Sequence, residues 1–233
     1  MSEELARLIG HRLIARKDVK ALQTPDKGYQ RRKRGFTMKN MDEHIEGTRS
    51  WGHYLLDTDS TTKIFAFDID VDKEYRHIVT NESDPQFERI WFLLQTMADG
   101  LGARSHRITT ESGVDCTTVL SYGGGKGLHV IGIFKDPLPA SASRSLAEAI
   151  LGSFNCFELV RGDIFWKHTD HYPELTIEVF PKQTEVSPGS YGNLMRLPLG
   201  INAKTGRDAF FVRPGKILTP DDPIYTLREG SFR

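Results

Sequence analysis

Asp68, Asp70 and Asp72 occupy every second position of a stretch, residues 62–72, that is otherwise rich in aromatic and β-branched side chains. Such a composition predicts a strand. Successive side chains of a strand point to opposite faces, so Phe65, Phe67, Ile69 and Val71 share one side, and Ala66 and the three carboxylates share the other. Carboxylates held this close repel one another and resist ionisation. A hard divalent cation removes that penalty, because Mg²⁺ favours carboxylate oxygen. The pattern alone fits either a metal site or a solvated acidic edge strand.

Three further stretches carry chemistry. The run Ser121-Tyr122-Gly123-Gly124-Gly125-Lys126-Gly127 leads directly into the apolar Leu128-His129-Val130-Ile131. Glycines let backbone N–H groups converge on an anion, and Lys126 adds a point charge. Lys126 is followed by Gly127 and the run opens a strand, so it is neither a P-loop nor a dinucleotide fingerprint. Glu178 lies in the alternating segment Leu175–Phe180, with Lys182 just beyond its end. Arg196 is a lone cation in the apolar run Leu194–Leu199 and needs an anionic partner or an exit to solvent.

The elements that must position these residues follow from the periodicity. Glu3 and Glu4, after a Ser2 cap, open a helix with Leu5, Leu8, Ile9 and Leu13 on one face. Residues 24–40 are polar and punctuated by Pro25, Gly28 and Gly35, which predicts a basic loop ordered by a ligand. Asp84-Pro85 starts a helix whose stripe Phe87, Ile90, Trp91, Leu94 and Met97 ends at Gly100. Strands are predicted over 103–109, 114–121, 128–134, 175–180, 193–199 and 209–213, and a helix opens at Ser141. This mixed order gives an α+β class, a sheet backed by helices on one side.

The chain has 233 residues, 38% hydrophobic and 27% charged, with zero net charge. These are the proportions of a globular protein with ample material for a core. No apolar run reaches the length of a membrane span and the first residues lack the order of a signal peptide, so the expected setting is the cytoplasm, without a membrane partner. Cys116 and Cys156 lie far apart with no CxxC partner, so no zinc is expected. Zero net charge argues against a protein that coats nucleic acid everywhere. The first forty residues nevertheless hold eleven Lys or Arg against four Asp or Glu, a balance of +7 peaking at Arg31, Arg32, Lys33 and Arg34. That peak suits a solvated face or a phosphate-binding arm. The chain divides into a basic N-terminal helix and arm, 1–40, and a core, 41–233, with 1–233 as one compact unit the alternative.

Taken in order, these motifs resemble the archaeo-eukaryotic primase superfamily: Asp68-x-Asp70 after an apolar strand, a Gly-Lys-Gly-x-His strand start at Gly125–His129, and a third acid at Glu178. His44-x-x-Gly47 with Gly52-x-Tyr54-Leu55-Leu56, then Phe180-Pro181-Lys182-Gln183, then Gly192–Leu199, are similar to the primase-polymerases of CRISPR-associated and TOTE conflict systems. The chain departs from them in having Gly123 where many relatives carry Ser, its nearest being Ser121, and Glu where Asp is commoner. The resemblance implies an RRM-like antiparallel or mixed sheet and a smaller N-terminal αβ layer enclosing a cleft. It implies de novo primer synthesis on single-stranded DNA and primer extension from NTPs or dNTPs, with two Mg²⁺ or Mn²⁺ ions held by Asp68, Asp70 and Glu178. Nucleotide binding would fall to Ser121, Gly125, Lys126, Gly127, His129, Lys182 and Arg196. Template phosphates would fall to Arg31, Arg32, Lys33 and Arg34, and the basic arm from Lys27 to Lys39 would also hold the acceptor nucleotide. Relatives fused to helicase or CRISPR-type modules make such modules the implied partners. The alternatives are a primer-dependent repair-type polymerase and a non-catalytic single-strand-binding module. A relaxase-type nuclease is disfavoured, because His168-Thr169-Asp170-His171-Tyr172 lacks the His-hydrophobe-His pattern.

Overall fold

The computed structural model describes residues 3–161, 165–168 and 172–232. The Ser2 cap and most of the His168–Tyr172 segment therefore lie outside the described residues. In chain order the elements are α1 (Glu3–Leu13), β1 (Lys20–Thr24), β2 (Gly28–Arg32), α2 (Met38–Ile45), β3 (Ser50–Tyr54), β4 (Thr61–Val71), α3 (Arg76–Val79), α4 (Phe87–Glu111), β5 (Cys116–Tyr122), β6 (Gly127–Pro139), α5 (Ala140–Gly152), β7 (Phe157–Arg161), β8 (Phe165–His168), β9 (Leu175–Phe180), β10 (Leu194–Arg196), β11 (Phe210–Phe211) and α6 (Pro223–Glu229). The larger sheet has strand order β11-β5-β6-β4-β9-β8-β7, and the smaller has β10-β3-β1-β2. All the pairings are antiparallel. The run β4-α4-β5-β6-α5-β9, with β9-β4-β6-β5 adjacent, is the split β-α-β arrangement of RRM-like sheets. The α+β class is therefore the observed one, with helices behind the larger sheet and a smaller αβ layer before it.

β4 has two faces with different partners. Phe65, Phe67, Ile69 and Val71 are fully buried with Trp91, Leu94 and Leu101 of α4 and Ile150 and Leu151 of α5. Each such side chain contributes about 1.5–3 kcal/mol. That gain offsets the cost of half-burying carboxylates on the reverse face. On the reverse, Ile64 and Ala66 pack with Leu5, Ile9 and Leu13 of α1 and with Trp51, Met195 and Leu197 of the smaller layer. The apolar packing stops at Ala66, so Asp68 and Asp70 face a gap between the layers.

Two predicted elements are corrected. Residues 103–109, expected as a strand, form the second half of α4, whose buried positions Leu94, Ala98, Leu101, Ser105 and Thr109 keep helical spacing past Gly100. Gly102 is a packing position, since a Cβ there would collide with the ring of Phe232. Residues 20–32, read in part as a loop, form the β1–β2 hairpin closed at Pro25-Asp26-Lys27, with Gly28, the first residue of β2, at φ +69°. The exposed charges hid the strand period there, because Arg31 and Arg32 lie at the sheet edge. The strands expected over 193–199 and 209–213 shrink to three and two residues. The remaining strands and the α5 start agree to within a few residues.

Candidate active site

The antiparallel register places the predicted residues in two rows across the larger sheet. In the first, Ser121, His129, Asp68 and Glu178 lie opposite one another on β5, β6, β4 and β9. In the second, Gly127, Asp70 and Thr176 do so on β6, β4 and β9. Opposed side chains on neighbouring strands share a face with Cβ atoms about 5 Å apart. Three carboxylates from two strands therefore project the same way. Gly127 is required by backbone proximity: a Cβ would strike the Ile69 carbonyl oxygen on β4.

Each carboxylate is turned to a basic side chain. His129 Nε2 lies 3.2 Å from Asp68 Oδ1, Lys126 pairs with Asp70, and Lys182 pairs with Glu178. Burial works to raise the Asp68 pKa, but His129, Lys126 and Lys182 outweigh it and hold the carboxyl below its ordinary value. Burial lowers the Lys126 ammonium, against the pull of Asp68 and Glu178. Among the described residues, no three His, Cys, Asp or Glu side chains already converge as a cation set. The donor chemistry of Asp68, Asp70 and Glu178 nevertheless fits a hard divalent ion. Asp70 and Glu178 are paired with lysine ammonium groups, which a triphosphate draws away, and Asp68 with the His129 imidazole.

The opposite wall comes from the smaller layer. A cavity of about 290 Å³ is bounded by Asp68, Asp70, Gly125, Lys126, Gly127 and His129 from the larger sheet, and by Gln23, Tyr29 and Arg196 from the smaller one. Arg196 donates from Nη1 to the Leu199 carbonyl at 2.8 Å. Burial lowers its pKa to about 10, so it remains a cation at neutral pH. Burial likewise pushes the Tyr29 phenol up to about 12. Arg196 is aimed by the His44 clamp. Trp51 N–H donates to His44 Nδ1 at 3.0 Å, which leaves Nε2–H to donate to the Pro198 carbonyl at 3.0 Å. The His44-x-x-Gly47 motif is thus a structural fastening between α2, β3 and the turn after β10.

Several residues depart from expectation or were missed. Ser121 lies in the first row but is fully buried, its Oγ 3.5 Å from the Phe210 carbonyl under β11, and does not line the cavity. Arg31, Arg32, Lys33 and Arg34 are exposed at the smaller sheet's edge, outside the cavity, and Arg31 stacks on the Tyr191 ring at 4.6 Å. Asn202 was missed: its Nδ2 donates to the Gly123 carbonyl at 2.8 Å, and its Oδ1 accepts from Gln23 Nε2 at 3.2 Å. Thr205 Oγ1 donates to the Gly124 carbonyl at 2.5 Å. Together these fasten the glycine-rich turn. Arg144 of α5 was also missed; its Nη1 donates to the Pro181 carbonyl at 3.1 Å and fixes the turn that carries Lys182. None of these residues stands in a patterned run, so only their contacts reveal them.

Residues 10–229 match the family model described as "TOTE conflict system, Archaeo-Eukaryotic Primase domain". The chain therefore belongs to the archaeo-eukaryotic primase domains of TOTE conflict systems, and nucleotidyl transfer is the class of chemistry that this membership supports. No curated protein matches it. Among solved structures it is similar to the polymerase domain from Mycobacterium tuberculosis Ligase D in complex with DNA. That likeness has 10% identity and a TM-score of 0.49, over 99% of this chain and 82% of the other. Among the described residues, no helix is long and apolar enough to cross a membrane.

Proposed function

We propose that the chain is a template-directed primase-polymerase that starts primers on single-stranded DNA and extends them with NTPs or dNTPs. The observation that carries this reading is the facing of Asp68 and Asp70 into a cavity whose other walls supply Lys126, His129 and Arg196, with Glu178 opposite Asp68 on the same face of the sheet but outside the cavity lining. Asp68, Asp70 and Glu178 would hold Mg²⁺ or Mn²⁺, which when bound neutralises phosphate charge and acidifies a 3′-hydroxyl. Lys126, His129, Arg196 and, from the end of β9, Lys182 bind the triphosphate of the incoming nucleotide. As the 3′-oxygen bonds to the α-phosphorus, the bond to the β-phosphate oxygen breaks. Pyrophosphate leaves towards these cations, and the hydroxyl proton passes to water. The two lysines exchange carboxylate for phosphate, so ordered charge is already present where the leaving group forms.

Incubation with single-stranded template, NTPs or dNTPs and Mn²⁺ tests this directly. Products without a primer are expected. Extension of an annealed primer alone would leave a primer-dependent polymerase, and no product in either reaction a binding module. The exposed edge of β2 carries a second expectation. Replacing Arg31, Arg32, Lys33 and Arg34 by Ala should flatten the salt dependence of single-stranded DNA binding by about 2–3 units of log–log slope. Nucleotide affinity should be unchanged. Identical slopes for variant and wild type would make this edge a merely solvated face.

A further inference from the structure

A second cavity, of about 380 Å³, opens on the far side of the carboxylates from Lys126 and Arg196. Its walls include Asp72, Lys73, Arg76, Trp166, Lys167 and Thr176. The register fixes where it lies. Asp72 is two residues past Asp70 on the same side of the β4 line. Thr176 on β9 stands opposite Asp70, and Lys167 on β8 stands opposite Thr176. One row thus runs from Gly127 in the glycine-rich turn, through Asp70 and Thr176, to Lys167. With strands about 4.8 Å apart, Lys167 is roughly 10 Å across the sheet from Asp70.

The cavity is basic. Lys73, Arg76 and Lys167 face one acid, Asp72, which Lys167 Nζ meets at 2.8 Å. Arg76 is held by its Nε–H, which donates to the Val71 carbonyl at 3.3 Å. The indole N–H of Trp166 is buried and has no hydrogen-bond partner among the described residues. The three cations at this hollow suit phosphate, with Val160 and Trp166 forming its apolar wall. Of residues 27–39, Tyr29 reaches the first cavity, whereas the Lys and Arg side chains of this arm line neither.

Direction of attack decides which phosphate. In an in-line displacement the attacking and leaving oxygens lie on opposite sides of the phosphorus. The proposed function sends pyrophosphate towards Lys126 and Arg196, which line the first cavity on the β6 side, and towards Lys182, which lies beyond the opposite end of β9 from Thr176. The attacking hydroxyl must then arrive from the β9–β8 side, where this cavity lies. We infer that Lys73, Arg76 and Lys167 bind backbone phosphates of the acceptor strand, the strand that supplies the 3′-hydroxyl. This rests on the functional reading above.

The test is fluorescence anisotropy with two probes: a labelled primer annealed to a longer template, giving a recessed 3′ end, and the labelled template strand alone. The triple variant Lys73→Ala, Arg76→Ala, Lys167→Ala should bind the recessed duplex about tenfold more weakly, with a salt slope lower by about 2–3 units. Its affinity for the single strand and for free nucleotide should change by less than about twofold. Undiminished affinity for the recessed duplex overturns the inference, and so does an equal loss on the single strand. Lys167 is paired to Asp72, so the triple variant could lose stability. In that event the exposed Lys73→Glu variant must show the loss on the recessed duplex, and wild-type affinity there overturns the inference equally. The binding difference needs no turnover, so a protein that fails to extend primers contradicts the functional reading alone. Extension by a wild type whose variants bind normally contradicts only this one.

Discussion

Asp68→Ala is expected to lower nucleotide addition by about 10³-fold, a loss of about 4 kcal/mol of transition-state stabilisation. Asp68 is the carboxylate with neighbours on both sides, His129 on β6 and Glu178 on β9. Burial works to raise its pKa, but His129, Lys126 and Lys182 outweigh it and keep the carboxyl below its ordinary value. Asp68→Asn is the sharper variant. It retains the side chain's shape and an oxygen for His129 Nε2 but removes the charge that would hold a cation. Both variants should keep the melting temperature close to that of the wild type, because the apolar face of β4 that anchors the strand is untouched. Primer extension in Mn²⁺, run beside thermal melts, is the measurement. Activity within tenfold of wild type in the folded Asn variant would sink the metal assignment.

The second large effect is acid unfolding. Burial lowers the pKa of His44 from 6.5 to about 4, with Arg196 adding to the shift, and burial does the same to His53. Both imidazoles are therefore neutral in the folded chain down to about pH 4. Below pH 6.5 the unfolded chain takes up two protons that the folded chain refuses, so stability falls as pH falls. Each shift corresponds to about 3 kcal/mol, fully lost by about pH 4 and fully present above about pH 6.5. Two such terms approach the whole stability of an ordinary domain, which is about 5–15 kcal/mol. Urea midpoints at pH 7 and pH 4.5 should differ sharply, and His53→Gln should remove about half of the difference. A midpoint independent of pH over that window would show that the two imidazoles are not held neutral. For His44 the physical cause is specific: protonating Nδ1 would break the bond from Trp51 N–H and detach the clamp that aims Arg196.

Much of this site is legible in the chain alone, wherever chemistry and periodicity coincide. Alternation along β4 separates Phe65, Phe67, Ile69 and Val71 from Asp68 and Asp70 because a strand has a period of two. The same rule assigns Glu178 its face on β9. The glycine-rich turn identifies itself through residues that tolerate unusual backbone, as Gly124 does at φ +68°. What alternation leaves open is which strands become neighbours. That β9 flanks β4, and so brings Glu178 opposite Asp68, depends on α5 packing behind the sheet. Ser121 shows the limit most clearly: its face is right, yet β11 covers it, and nothing in its own segment announces that cover. Helical residues 103–109 read as a strand because Gly100 and Gly102 signal an end, whereas Phe232 from the far end of the chain fills the space that Gly102 leaves. Asn202, Arg144 and the cavity beside Lys167 follow the same logic. Local pattern determines which face a side chain takes; only packing between distant segments decides what stands opposite it, what covers it, and hence what it can bind.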